Sequence, residues 1–167
     1  LLGEPGQERF PNIHCYDSPL TEEFDGVPIH FMPWINSENY ERAMKSIETT
    51  SAQICMGHLE LNGFEMHAGH FCEAGYPKEM FRRFDTVMSG HFHKKSDDGQ
   101  IYYLGSTYQQ TWGDERDTKG FHIFDTDTRE LEYIVNPYNI FEKVYYDDTT
   151  VNYSEFDVLT LRESLLR

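Results

Sequence analysis

Two apolar runs in this chain end the same way: Ile54-Cys55-Met56 gives way to Gly57-His58, and the segment from Phe84 to Met88 leads through Ser89 to Gly90-His91-Phe92-His93. Short apolar runs bounded by turn residues read as buried strands. In open α/β sheets, ligand sites gather beyond the carboxyl ends of strands, which is where both Gly-His pairs would lie. In extended backbone, residues two apart face the same side, so His91 and His93 project together while Phe92 turns into the core. Three imidazoles, distant in the chain, are therefore expected to converge on one rim. One loop could then serve two adjacent metal ions, and the pattern points to a metal-assisted hydrolase.

Around these pairs, strands and helices alternate. Ile13–Tyr16 and Val27–Met32 read as short strands separated by the turn-prone Asp25-Gly26. A helix capped by Ser37 should follow, with Tyr40, Ala43, Met44 and Ile47 on one apolar face. Ala52–Met56 is the strand that delivers His58. Pro77 opens a second helix running to Phe84, and Thr86–Ser89 is the strand that delivers His91. The rhythm then changes. Ile101–Leu104, Gly120–Asp125 and Leu131–Val135 read as antiparallel strands with Asp98-Gly99 and Asp125–Thr128 as turns. Past Pro137, Tyr145–Asp148 suggests a strand leaving the domain and Tyr153–Leu166 a helix capped by Ser154. The class is α/β, helices packed on a sheet followed by a meander.

At 167 residues and 38% hydrophobic, the chain can bury one core, with room for the start of another unit. Three cysteines without close spacing argue against a disulfide framework and for a reducing cytoplasm. No apolar run reaches the roughly 18 to 20 residues that a membrane span needs. The net charge of −15 is unusual for a protein that grips nucleic acid, since backbone affinity comes chiefly from Lys and Arg. Either the basic surface lies elsewhere, in another part of the protein or on a partner, or the chain does not bind nucleic acid.

The order Gly57-His58, then Gly90-His91-Phe92-His93, resembles the last two metal-binding motifs of the calcineurin-like metallophosphoesterases. The block Met56–Phe64 (MGHLELNGF), with Leu104-Gly105-Ser106, Gly113-Asp114 and Lys119-Gly120-Phe121 after it, is most similar to SbcD-type DNA nucleases, and more narrowly to the recombination endonuclease subunits of T-even-like bacteriophages. The resemblance spans Leu1 to Pro137 with gaps. The earlier family motifs, Asp-x-His, Gly-Asp and Asn-His, do not precede His58, and Asn12-Ile13-His14 is not the last of them.

The resemblance implies the second half of a four-layer αββα sandwich: residues 1–137 as the carboxyl-terminal half of the nuclease domain, and 138–167 as the start of a small capping region that engages DNA. It also implies that His93 completes the shell of one ion while His58 and His91 bind another, with Mn2+ the usual occupant and Mg2+ the alternative. No catalytic residue is assigned within the chain. The general-acid histidine belongs to the amino-terminal half, so these 167 residues alone are expected to be inactive. The implied activity is a DNA exo- and endonuclease in recombination and double-strand-break processing. Its implied partners are double-stranded DNA and an SMC-like ATPase subunit with a coiled coil; a homodimer is compatible, and no membrane is involved. Phosphoesterase action on a nucleotide, phosphoprotein or other small phosphate ester is the alternative that the acidic charge suits, and a non-catalytic piece with relic histidines is a third.

Other residues have ordinary readings beside functional ones. Glu60 and Asn62, within four residues of His58, could orient a ligand imidazole or simply sit exposed in a loop. Tyr108 and Gln109 lie in the long connection before Gly113-Asp114 and are DNA-contact candidates through stacking or hydrogen bonding. Trp112, in the same connection, is expected to be buried. His67-Ala68-Gly69-His70-Phe71-Cys72 places zinc-type ligands close together but has no matching second pair. His14, His30 and His122 read as ordinary strand residues.

Overall fold

Asp25 and Gly26 adopt φ of 49° and 82°, the backbone of a tight two-residue hairpin turn, and join β1 (Leu20–Phe24) to β2 (Val27–Met32) in antiparallel register. The computed structural model describes residues 12–67 and 69–143. The strand expected at Tyr145–Asp148, the helix at Tyr153–Leu166 and most of the 138–167 region lie outside them.

The main sheet has six strands in the order β1-β2-β3-β6-β8-β7. Its centre is parallel: β2 pairs with β3 (Ile54–Gly57), β3 with β6 (Thr86–Ser89), and β6 with β8 (Ile101–Tyr103). The edges are antiparallel, β1 on one side and β7 (Ser96–Asp97) on the other. Two hairpins stand apart, β4–β5 (Glu65–His67 and His70–Phe71) and β9–β10 (Gly120–Phe124 and Leu131–Val135). The fold is thus α/β with a mixed sheet and few helices.

Alternation along the strands divides the core between the two faces. Met32, Cys55, Val87, Ile101 and Tyr103 join one cluster with Ala43 and Ile47 of helix α1 (Tyr40–Thr49) and with Phe81, Phe84 and Phe92. Ile29, Ile54 and Met88 form the other, lined by the half-buried Phe31, Met56 and Leu104 and by Phe124 and Leu131 of the second hairpin. All three cysteines are free, and Cys55 and Cys72 are buried. Among the described residues no helix is long and apolar enough to cross a membrane.

The structure corrects several expectations. Ile13–Tyr16 is irregular, and the partner of β2 is Leu20–Phe24, whose weaker apolar pattern reflects an edge strand. Ser37 does not cap α1. The N-cap is Asn39, and Asn36 organises the approach by accepting the Glu38 and Asn39 N–H groups at 2.8 and 3.2 Å. The segment after Pro77 makes one 3-10 turn, Lys78–Phe81, because the chain must reach Thr86 within a few residues. Ile101–Tyr103 is parallel to β6 rather than part of an antiparallel meander.

Candidate functional site

The parallel centre of the sheet directs four connections to one edge: those after Met32, Gly57, Ser89 and Tyr103. The first carries Trp34, the second His58, the third His91 and His93, and the fourth runs through Tyr108 to Lys119.

Buried polar groups stitch the second connection to its neighbours. Ser89, fully buried, accepts the Leu59 N–H at 2.9 Å, and the Gly90 N–H donates to the Gly57 carbonyl at 3.0 Å. The Tyr103 hydroxyl donates to the Leu59 carbonyl at 2.9 Å and accepts the Leu61 N–H at 3.0 Å. With these groups satisfied, His58 follows a fixed backbone. Its ring meets that of His91 edge to face, with centroids 5.3 Å apart. Trp34 lies against both, at 5.9 Å from His58 and 4.9 Å from His91. Asn39 Nδ2 holds the Trp34 carbonyl at 2.7 Å.

Two backbone features make this pairing feasible. A Cβ on Gly90 would stand 2.9 Å from His58 Nδ1, so only glycine leaves room for the ring. His91 itself adopts φ of 86°, a costly region for a side chain of this size and one that is concentrated at functional sites. The loop is therefore a bend rather than the extended segment expected. Phe92 still turns into the core, 4% exposed, while His91 and His93 both line one open cleft of about 400 Å³ with Met66, Thr111 and Asp114.

His93 is held differently. Its carbonyl accepts the Ser106 N–H at 3.0 Å and the Lys119 ammonium at 2.8 Å, and its Nδ1 lies 3.4 Å from Asp114 Oδ2. Asp114 and Lys119 are buried and paired at 3.0 Å. Burial opposes the charge on Asp114, but the Lys119 cation and the N–H groups of Gln110 and Thr111 outweigh it and hold the carboxyl well below the usual range.

Although His58 is exposed, partial desolvation of its ring, and next the neighbouring His91, lower its pKa, which favours the neutral, lone-pair-bearing ring that a metal requires. The His58–His91 pair would supply two nitrogen donors, only part of a divalent cation's shell. Among the described residues no group of three or more His, Cys, Asp or Glu is gathered into a metal-binding cluster. The structure brings His58 and His91 into ring contact and places His93 on a cleft that His91, but not His58, also lines.

The remaining candidates separate. Glu60 and Asn62 are fixed through their main chains, the Glu60 carbonyl accepting from Tyr76 N–H and the Asn62 N–H donating to the Tyr76 carbonyl at 2.9 and 3.0 Å. Among the described residues, no hydrogen bond ties either side chain to His58. Tyr108 is half exposed. Gln109 is corrected: it is 2% exposed, its Oε1 accepts the N–H groups of Ile140 and Phe141, and its Nε2 donates to the Asp114 carbonyl, so the amide is turned into the protein rather than presented to DNA. Trp112, expected inside, is 59% exposed and packs against Phe141. Cys72 lies in the core and His70 on the exposed hairpin, so these two do not converge on one ion. His30 is buried, its ring nitrogens 2.9 Å from Thr21 Oγ1 and 3.3 Å from Ser46 Oγ; His14 is exposed and His122 half-buried. Local sequence signals do not reveal the roles of Asp114 and Trp34. Gly113-Asp114 stands out as a pair, but only contacts across the fold show what the carboxylate touches.

No protein-family model matches the chain. It is 36% identical over 155 residues, 92% of its own length, to exonuclease subunit 1 of Enterobacteria phage T4, and covers 45% of that protein. It is 27% identical over 107 residues, 57% of its length, to the SbcD subunit of the SbcCD nuclease of Staphylococcus epidermidis, and covers 27% of it. The chain thus spans less than half the length of each of these relatives.

Proposed function

This chain is related to the SbcD-type nucleases and, within them, to the phage recombination endonucleases, and on that premise we propose that it forms part of a metal-dependent DNA nuclease subunit. His58 and His91 hold one divalent ion and His93 contributes to a second, Mn2+ being the favoured occupant and Mg2+ the alternative. The observation that carries this reading is the contact between two imidazoles from separate Gly-His turns on one sheet edge, the second of which, His91, lines a cleft together with His93. Imidazole donors suit manganese, iron and zinc. Two bound ions would activate water and neutralise a scissile phosphate.

The chain's own residues do the holding. Gly90 leaves room for His58, the His91 backbone turns its ring toward His58, and Trp34 packs against both rings. Residues 1–137 belong to the second half of a four-layer sandwich and those from 138 onward to a capping region. The half-buried Phe31, Met56 and Leu104 support this, because they form an apolar sheet face only partly covered by the second hairpin. The remaining ligands and the general acid come from other parts of the subunit, so the 167 residues alone do not cleave DNA. The intact protein acts in the cytoplasm on double-stranded DNA with an SMC-like ATPase subunit, and the basic surface that the net charge of −15 withholds from this chain lies on those other parts.

The test is substitution of His58→Ala and His91→Ala in the intact protein that carries this sequence. Each should abolish Mn2+-dependent cleavage of linear duplex DNA while circular dichroism shows the fold retained. Undiminished cleavage would overturn the assignment. Turnover of a chromogenic phosphodiester without any DNA cleavage by the unsubstituted protein would instead favour the small-ester reading.

A further inference from the structure

The loop after β8 reaches His93 by two routes, and they meet at one carboxylate. Asp114 closes the 3-10 turn Trp112–Asp114, with its Oδ2 accepting the N–H groups of Gln110 and Thr111 at 2.9 and 2.8 Å. Its Oδ1 accepts from the Lys119 ammonium at 3.0 Å. That same ammonium donates to the His93 carbonyl at 2.8 Å. All of these partners can only donate, so Asp114 is the acceptor throughout. A further neighbour of Oδ2 is His93 Nδ1 at 3.4 Å, which joins the set only as an N–H donor.

We propose that Asp114 is a positioning residue for His93: it fixes the ring as the Nδ1–H tautomer and aims Nε2, with its lone pair, into the cleft that His91 shares. The inference rests on the proposed metal role of His93. Burial separates this role from simple loop closure. The Asp114 and Lys119 side chains are 6% and 3% exposed, whereas the His93 side chain is 39% exposed. With the His93 ring still partly in water, packing alone does not fix which nitrogen carries the proton. A ligand imidazole does need a partner on its other nitrogen, which sets the tautomer and the ring plane. Lys119 makes the arrangement sustainable, since a buried carboxylate without a cation would be strongly unfavourable. Because the same ammonium grips the His93 carbonyl, the main chain and the ring of His93 are referenced to one buried ion pair.

The first measurement needs no variant. Long-range proton–nitrogen correlation spectra of the metal-free intact protein, at a pH where the rings are neutral, should show His93 protonated on Nδ1; a predominantly Nε2–H ring would overturn the proposal. Asp114→Asn should then lose the fixed tautomer and weaken Mn2+ binding by calorimetry about 10- to 100-fold. In a His93→Gln background the same substitution should weaken binding no further, because Asp114 acts through that ring. An additive loss would mean that Asp114 acts on the loop alone, and would overturn the proposal. Should Asp114→Asn fail to fold, the unsubstituted tautomer still decides. A ring fixed as Nδ1–H in an intact protein that takes up no Mn2+ would support the hold of Asp114 on His93 and remove the metal reading instead.

Discussion

His58 and His93 sit at the same sheet edge yet are secured by opposite means. The His58–His91 pair is held by shape: an absent Cβ at Gly90, an unfavourable φ at His91, and the Trp34 ring packed against both. Among the described residues, no side-chain hydrogen bond fixes either ring. His93 is held by polar contacts from a buried ion pair, with its side chain left partly in water. A site built this way can lose one half while keeping the other. Steric changes should strike the first half and charge changes the second.

Among changes that keep all three imidazoles, the largest expected effect comes from Gly90→Ala. The added methyl would stand 2.9 Å from His58 Nδ1, and since the ring can swing aside, the fold survives while the pair separates. Misplacing a reacting group by about 1 Å can cost roughly 100-fold, so nuclease activity in the intact protein should fall by about that factor with little change in melting temperature. The His93 tautomer should be unaffected. If its ring signals shifted as well, the two halves would be one mechanical unit and the contrast between them would fail.

Trp34→Ala should do less. Aromatic contacts of this kind are worth about 0.5–1.5 kcal/mol beyond the area they bury, which corresponds to roughly a 2- to 12-fold weakening of Mn2+ binding at the His58–His91 pair. Trp34→Phe should recover most of it. Equal binding in all three proteins, by calorimetry, would show that the backbone alone orients His91.

What the sequence makes legible follows from how local each cause is. β3 and β6 announce themselves through continuous apolar runs, and the Gly-His boundaries place His58 and His91 at one sheet edge because parallel strands share a direction. β1 escapes, since Leu20–Phe24 carries two glutamates and only half an apolar face, as an edge strand can. The turn after Pro77 looks helical by its apolar spacing, but the distance to β6 leaves space for only one 3-10 turn. Gln109 looks like a surface amide until the chain near Phe141 folds back over it. Asp114 lies 21 residues from His93, and no local pattern links a carboxylate to an imidazole at that separation.

The smallest effect lies outside both halves of the site and tests whether acid sensitivity belongs to the fold or to the metal centre. His30 is buried under α1, stacked on Phe84 with ring centroids 5.8 Å apart and bonded to Thr21 and Ser46. Burial, and to a lesser degree the nearby Arg83 cation, lower its pKa in the folded chain. The unfolded chain, with an ordinary value near 6.5, takes up the proton first as pH falls. The contribution of His30 to stability is therefore complete above about pH 6.5 and is lost as the pH drops toward the folded value. Melting temperature, measured without metal from about pH 7.5 down to about pH 5.5, should decline across that window. In His30→Gln the baseline stability is lower and the part of the decline due to this residue disappears. An unchanged slope in His30→Gln would move the acid sensitivity to the other histidines, and the His58→Ala chain measured over the same window would then show whether the shape-held half of the site is its source.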